Sequence, residues 1–179
     1  VLLTKHIFDK GFFNQRAEDN IMTVKINQKI VGYNFKKDLM PISSAGSLSN
    51  IVVIGNDVEF GFMAGDYEKG LDKARSLARE GAQIVIYKMG EKGAITITPE
   101  LEFRTGIYPV DALKPTGAGD SFMGGFIASL AAGFSLKDAV LRGSACASIV
   151  VSKVGCAPAM PSTAQLEEFL QTHPGPVEI

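Results

Sequence analysis

The residues with the clearest chemical potential are Pro115-Thr116-Gly117-Ala118-Gly119-Asp120, a glycine-rich turn that runs into the small and apolar series Ser121-Phe122-Met123-Gly124-Gly125-Phe126. Glycines at 117 and 119 free the backbone to present successive N–H groups to an anion, and a helix starting there aims its positive dipole end at the same point. Asp120 adds a carboxylate to that first turn, where it could take a proton from an attacking hydroxyl while the amides of Gly117, Ala118 and Gly119 hold a phosphate. The alternative is a strand-to-helix turn with an acidic cap, and short glycine motifs alone do not separate the two.

Two further constellations precede it. Asn56 and Glu59 stand at i, i+3 on a helical turn, which puts an amide and a carboxylate on one face. Such oxygen donors suit Mg²⁺ with its waters, and an N-cap Asn beside a surface Glu is the competing reading. Lys88-Met89-Gly90-Glu91-Lys92-Gly93 follows an apolar run. Lys88 could meet phosphate oxygens while Gly90 and Gly93 admit a nucleotide, or the segment is a hairpin turn with exposed charges. His6 has no second ligand at metal-binding spacing and is read as structural.

The elements that must position these groups alternate between strand and helix. Ile51-Val52-Val53-Ile54, closed by Gly55, has the pattern of a strand buried on both faces of a parallel sheet. A short helix opens at Asn56, where the carboxyl end of a strand is the usual ligand side of an open α/β sheet. Leu71, Ala74, Leu77 and Ala78 mark an amphipathic helix over 67–80, stopped by Gly81. Strands are expected at 83–88 and, with half-exposed alternation, at 94–98, followed by an antiparallel piece within 101–108. Helices then run from Gly117 to Gly133, from a Ser135 cap through Val150, and from a Ser162 or Thr163 cap over 164–171. In the first 42 residues only Val24-Lys25-Ile26 and Lys29-Ile30-Val31-Gly32-Tyr33 suggest strands, and 12–16 show no usable periodicity. Lys36, Lys37 and Asp38 read as a solvated loop.

The chain has 179 residues, 46% of them apolar, with formal net charge -1. That size buries a substantial core, and near-neutrality gives no general attraction to nucleic acid or an anionic membrane, so neither is an expected partner. No run approaches the roughly 20 apolar residues of a membrane span, and the N-terminus lacks both a signal-peptide layout and an initiator Met. A fragment or processed product in the cytoplasm is the expectation. Cys146 and Cys156 make neither a disulfide framework nor a metal site. No Gly-x-Gly-x-x-Gly follows an early strand, which argues against a Rossmann dehydrogenase.

In this order the three constellations resemble the C-terminal half of the ribokinase-like carbohydrate kinases: an Asn-x-x-Glu, a strand ending in x-Gly-x-x-Gly, and a Gly-Ala-Gly-Asp signature opening a helix, together spanning about 50–170. Within that family Lys88-Met89-Gly90, Leu113-Lys114-Pro115-Thr116-Gly117-Ala118-Gly119-Asp120, and Ser148 to Lys153 with Cys156 to Pro161 look most like the 5-dehydro-2-deoxygluconokinases. The resemblance implies an α/β, ribokinase-like three-layer sandwich with a mostly parallel sheet, and transfer of the ATP γ-phosphate to a sugar or sugar-acid hydroxyl. Asp120 would be the catalytic base and Gly117, Ala118 and Gly119 the anion hole. Asn56 and Glu59 would hold Mg²⁺ and its waters, Lys88, Gly90 and Gly93 would line the nucleotide site, and Ala147 would flank the adenine. Where the family often carries an acid that helps bind a monovalent cation, this chain has Lys114, which leaves dependence on such a cation open.

The expected organisation is a poorly defined segment over 1–42 that shows no Gly-Gly sugar-binding motif or lid pattern, a ribokinase-like nucleotide-binding half over 43–172, and a loose tail over 173–179. The expectation is therefore a chain that lacks much of the sugar-binding half and the lid. Expected partners are ATP and a small sugar or sugar acid, with a homodimer compatible with the resemblance. The alternative is a truncated or non-catalytic nucleotide-binding domain acting in sensing or assembly.

Overall fold

A computed structural model describes the strands at 13–16, 21–26 and 29–34 and all of residues 52–177. His6, the loop at 36–38 and the expected boundary after 42 lie outside the described residues. The chain divides into two compact units, one built from Gly11–Gly90 with Ala94–Arg104, the other including Glu91–Gly93 and Thr105 onward.

In the first unit β1 (Phe13–Arg16), β2 (Ile21–Ile26) and β3 (Lys29–Asn34) form an antiparallel sheet in that order. Ile26 pairs with Lys29, so two residues separate β2 from β3, as the sequence predicts. β1 is the strand that the sequence does not reveal, because its four residues, Phe13-Asn14-Gln15-Arg16, are too few and too polar for alternation to show.

A second sheet has the order β4 (Val52–Asn56), β5 (Ile84–Lys88), β6 (Ala94–Ile97), β7 (Glu102–Thr105). β4 and β5 are parallel, β5 and β6 antiparallel. The sheet is therefore mixed where a mostly parallel one was expected, because the one-turn 3₁₀ segment Gly90–Lys92 is far too short for a crossover. Burial also differs from expectation at two strands. β4, the first strand of the order, has only Gly55 buried, whereas β6 is buried at all four positions and is no half-exposed strand.

Helix α1 (Asp57–Ala64) follows β4 directly, and α2 (Gly70–Arg79), entered through a 3₁₀ turn at Tyr67–Lys69, leads back to β5. The apolar stripe of α2, Ala74, Leu77 and Ala78, packs with Phe60, Val85, Tyr87, Ile95 and Ile97 into one core. Arg75 holds the β7 residue Glu102 with a two-pronged pair, Nε to Oε2 at 3.0 Å and Nη2 to Oε1 at 2.8 Å.

The second unit is helical. α3 (Ala118–Ala131), α4 (Leu136–Val151) and α5 (Thr163–Thr172) start near the predicted places, with Ser135 and Ser162 as side-chain caps. α3 and α4 meet through glycine. A Cβ on Gly125 would lie 2.6 Å from Cys146 Sγ, and one on Gly143 2.8 Å from the Phe122 carbonyl oxygen. Ser144 and Ser148 donate to the carbonyls of Gly106 and Tyr108, which docks that irregular segment on α4. The tail is not loose: the Val177 N–H donates to the Ile107 carbonyl at 2.9 Å, and the Val177 carbonyl lies so close to Gly106 that no Cβ would fit there. No described helix is long and apolar enough to cross a membrane.

Arg142 joins the three described α-helices of this unit. Its Nε donates to Ser129 Oγ at 3.1 Å, its Nη2 pairs with Glu167, and its guanidinium lies 4.2 Å from the centre of the Phe134 ring. Arg142 is 11% exposed and Glu167 45%. Arg142→Ala removes a mostly desolvated partner of three groups and is expected to cost about 3 kcal/mol in chemical denaturation. The hydrogen bond from Arg142 holds the Glu167 carboxyl below its ordinary value of 4.5. The charge of Glu167 therefore contributes stability above the unfolded-state pKa, and the contribution is lost as pH falls through the lower folded value. With Glu167 half exposed, wild type should exceed Glu167→Gln by about 1 kcal/mol or less at pH 7. The difference should shrink steadily below about pH 4.5 in a series of thermal melts.

Candidate active site

In the first unit the residues at the carboxyl ends of two parallel strands are neighbours. Asn56 closes β4 and Lys88 closes β5, and the two are paired in register. Ligands of open α/β sheets bind at this end. Asn56 is also the N-cap of α1. Its side chain accepts the Glu59 N–H at 2.8 Å, and Glu59 Oε2 accepts the Asn56 N–H at 2.6 Å, a complete capping box. The structural reading of this pair is thus realised. One carboxylate oxygen of the exposed Glu59 is not used by the box.

This donor set fits Mg²⁺ of one kind only. A hard oxygen pair with a single carboxylate suits an ion that keeps most of its waters and is completed by phosphates, and would not make an all-protein cage. No group of three or more His, Cys, Asp or Glu suited to a metal occurs among the described residues.

The turn after β5 has two glycines with different causes. At Gly90, with φ 60°, an added Cβ would meet nothing, whereas Gly93, at φ 77°, packs its Cα against the Thr105 carbonyl. Gly93 is fixed by the fold, and Gly90 faces open space.

The second unit holds Gly117 to Asp120. Gly117 takes φ 89° and serves as N-cap of α3 without any side-chain cap. The Ala118 N–H is used by the turn itself, donating to the Pro115 carbonyl at 3.2 Å, and the Ser121 N–H donates to the Gly117 carbonyl at 3.0 Å. Among the described residues nothing accepts from the N–H groups of Gly117, Gly119 or Asp120. The free donors are therefore 117, 119 and 120, with Ala118 engaged, at the positive end of a 14-residue helix. The Asp120 carboxylate is exposed and makes no hydrogen bond or ion pair to a described residue.

Ala147 lies on α4 between the buried Cys146 and Ser148 and is itself half exposed, a small step in the helix surface. Burial pushes the Cys146 thiol up to about 12, so it is a packing residue with no nucleophilic role. A separate groove of about 820 Å³, between the 109–113 segment, the end of α4 and α5, is lined by Leu113, Ile149, Phe169 and His173 among others and contains none of the predicted site residues. The contact missed by sequence reasoning is Lys114 Nζ on Cys156 Sγ at 3.2 Å. A separation of 42 residues leaves no local signal for it.

Residues 19–163 match the family profile described as pfkB family carbohydrate kinase. The 5-dehydro-2-deoxygluconokinase of Photobacterium profundum is 41% identical over 134 residues, 72% of this chain and 40% of that protein. Ribokinase from Thermotoga maritima superposes with a TM-score of 0.63 at 27% identity, over 68% of this chain and 42% of the other. Aminoimidazole riboside kinase from Salmonella enterica, solved with aminoimidazole riboside and an ATP analogue, gives 0.60 at 29% over the same shares. The chain spans about two fifths of the length of the curated relatives it matches. With the Asn-x-x-Glu, the glycine turn after β5 and the Gly-Ala-Gly-Asp helix start all inside the matched span, the chain belongs to the PfkB family of carbohydrate kinases.

Proposed function

We propose that this chain carries the phosphoryl-transfer half of an ATP-dependent kinase that phosphorylates a hydroxyl of a sugar or sugar acid. The observation that carries the reading is that Asp120, in the first turn of α3, caps nothing. An exposed acid with no partner among the described residues, among three N–H donors with no acceptor there, is what a general base beside an anion site requires.

Asp120 takes the proton of the acceptor hydroxyl as that oxygen forms its bond to the γ-phosphorus and the bond to the ADP oxygen breaks. The amides of Gly117, Gly119 and Asp120 hold the charge that collects on the phosphoryl oxygens. Lys88 meets phosphate oxygens from the end of β5, Gly90 leaves space for the nucleotide, and Ala147 offers a flat surface to the base. Asn56 and Glu59 would hold Mg²⁺ through its waters, and the ion would supply neutralisation of phosphate charge. Relatives named 5-dehydro-2-deoxygluconokinase make 5-dehydro-2-deoxygluconate the first substrate to test. This is small-molecule chemistry suited to the cytoplasm.

The second reading is a nucleotide-binding domain of the same fold that does not turn over. Calorimetry with ATP·Mg²⁺ followed by a coupled ADP-release screen over sugars and sugar acids separates the two. Binding with no turnover on any acceptor supports the second reading.

Asp120→Asn should lower turnover by about 10²–10⁴-fold and leave ATP affinity nearly unchanged. Near-normal turnover in that variant would refute the assignment of the base. Glu59→Gln tests the metal role apart from the cap, since a Gln oxygen still accepts the Asn56 N–H. The expected result is an unchanged melting temperature with a rise of about tenfold in the Mg²⁺ needed for half-maximal nucleotide binding. An unchanged Mg²⁺ titration would leave Glu59 a cap only.

A further inference from the structure

Behind the turn that presents the free N–H groups lies a small assembly that the reaction scheme does not use. The carbonyl of Val151, the last residue of α4, accepts from two successive N–H groups, Leu113 at 2.7 Å and Lys114 at 3.2 Å. This brings the approach to the turn alongside the C-terminal end of α4. That helix end is the negative pole of a 16-residue helix and has no basic residue in its last turn. From there the half-buried side chain of Lys114 reaches forward to Cys156, with Nζ 3.2 Å from Sγ.

Cys156 in turn supports the turn from below. A Cβ added to Gly117 would lie 3.3 Å from Cys156 Cβ and 3.5 Å from Val150 Cγ1, so the glycine backbone rests directly on these two side chains. Gly117 is the residue whose φ of 89° aims the N–H groups. The chain of contact thus runs from the ammonium to Cys156 and from Cys156 to the backbone of the nest.

We propose that Lys114 is a positioning residue, a built-in monovalent cation that latches the 152–156 loop under Gly117 and keeps the anion nest in shape without a dissociable ion. Two features fit a cation here better than any other group: a polarisable sulfur within hydrogen-bond distance, and a position just behind the free N–H groups of the turn. A covalently tethered ammonium is present at every salt concentration, so the nest is formed whether potassium or another cation fills the solution. The part of this inference that concerns phosphate rests on the function proposed above, and the latch itself does not.

The test compares wild type with Lys114→Met in potassium, ammonium and N-methylglucammonium chlorides at equal ionic strength. Two quantities are read, hydrogen exchange of the 113–121 and 152–156 segments and affinity for ATP·Mg²⁺. Wild type should give the same values in all three salts, an arm that needs no variant to fold. Lys114→Met should exchange faster in both segments in N-methylglucammonium and bind nucleotide about tenfold more weakly, as loss of a charged hydrogen bond implies. Ammonium or potassium, small enough to enter the vacated position, should restore a good part of both. Wild type that needs potassium would overturn the proposal. So would a variant indistinguishable from wild type, or a loss that no small cation restores, since that last result marks Lys114 as packing only. Wild type that binds no nucleotide in any salt, with exchange still rescued by small cations in the variant, would refute the kinase reading and leave the latch intact.

Discussion

The candidate site depends on how closely α3 and α4 approach each other. At Gly125 and Gly143 the two helices are nearer than side chains would permit, since a methyl at either position would meet Cys146 Sγ or the Phe122 carbonyl at under 3 Å. A glycine inside a helix costs about 1 kcal/mol relative to alanine. The close approach offsets this by burying Phe122, Phe126, Val140 and Ile149. It also sets the start of α3. Ser121 Oγ donates to the Cys146 carbonyl at 3.0 Å, so the first turn of α3 is tied to the middle of α4 one residue after Asp120. The position of the nest is therefore inherited from helix packing, and the residues that present it add only the turn.

This division explains what could be seen in the sequence. Helix starts are local chemistry, so Ser135, Ser162 and the Asn56–Glu59 box appear where caps are expected. Strand burial is not local. The apolar run of β4 suggests a doubly covered strand, yet its first three residues are only half buried because burial depends on which elements lie beside it. The alternation in β6, with Thr96 and Thr98 as the polar members, suggests an exposed face, yet Thr96 is fully buried and its hydroxyl has no partner among the described residues. A threonine resembles valine in shape, and its hydroxyl carried the pattern toward the wrong face. The tail failed for a similar reason. Nothing in His173-Pro174-Gly175-Pro176-Val177 suggests order, and what orders it is the need of Ile107, in an irregular segment, for a backbone partner.

The types and spacing of the candidate residues are legible in the sequence, and their partners are not. Composition and order led to Asp120, Glu59, Lys88 and the glycines, whereas only coordinates show that Ala118 spends its N–H within the turn, that Gly93 is packed on Thr105, and that Lys114 meets Cys156 across 42 residues.

The two candidate acids show why position in a helix does not settle what a side chain bonds. Glu59 and Asp120 are each the third residue of a helix, each three positions after the N-cap, each exposed. Their difference begins at the cap. Asn56 has a side-chain oxygen that takes the Glu59 N–H and leaves its own N–H facing the Glu59 carboxylate, so the box closes on itself and stabilises the helix start. Gly117 has no side chain with which to begin such a box, and its left-handed conformation turns the backbone away from the extended geometry that Asn56 adopts at φ -95° and ψ 174°. Aspartate is also one methylene shorter than glutamate, which reduces its reach back to the cap. The same exchange of asparagine for glycine at the cap that leaves the helix N–H groups without an acceptor thus leaves the acid without a donor. Among the described residues, N–H groups without an acceptor and a carboxylate without a donor thus arise together from the loss of one cap.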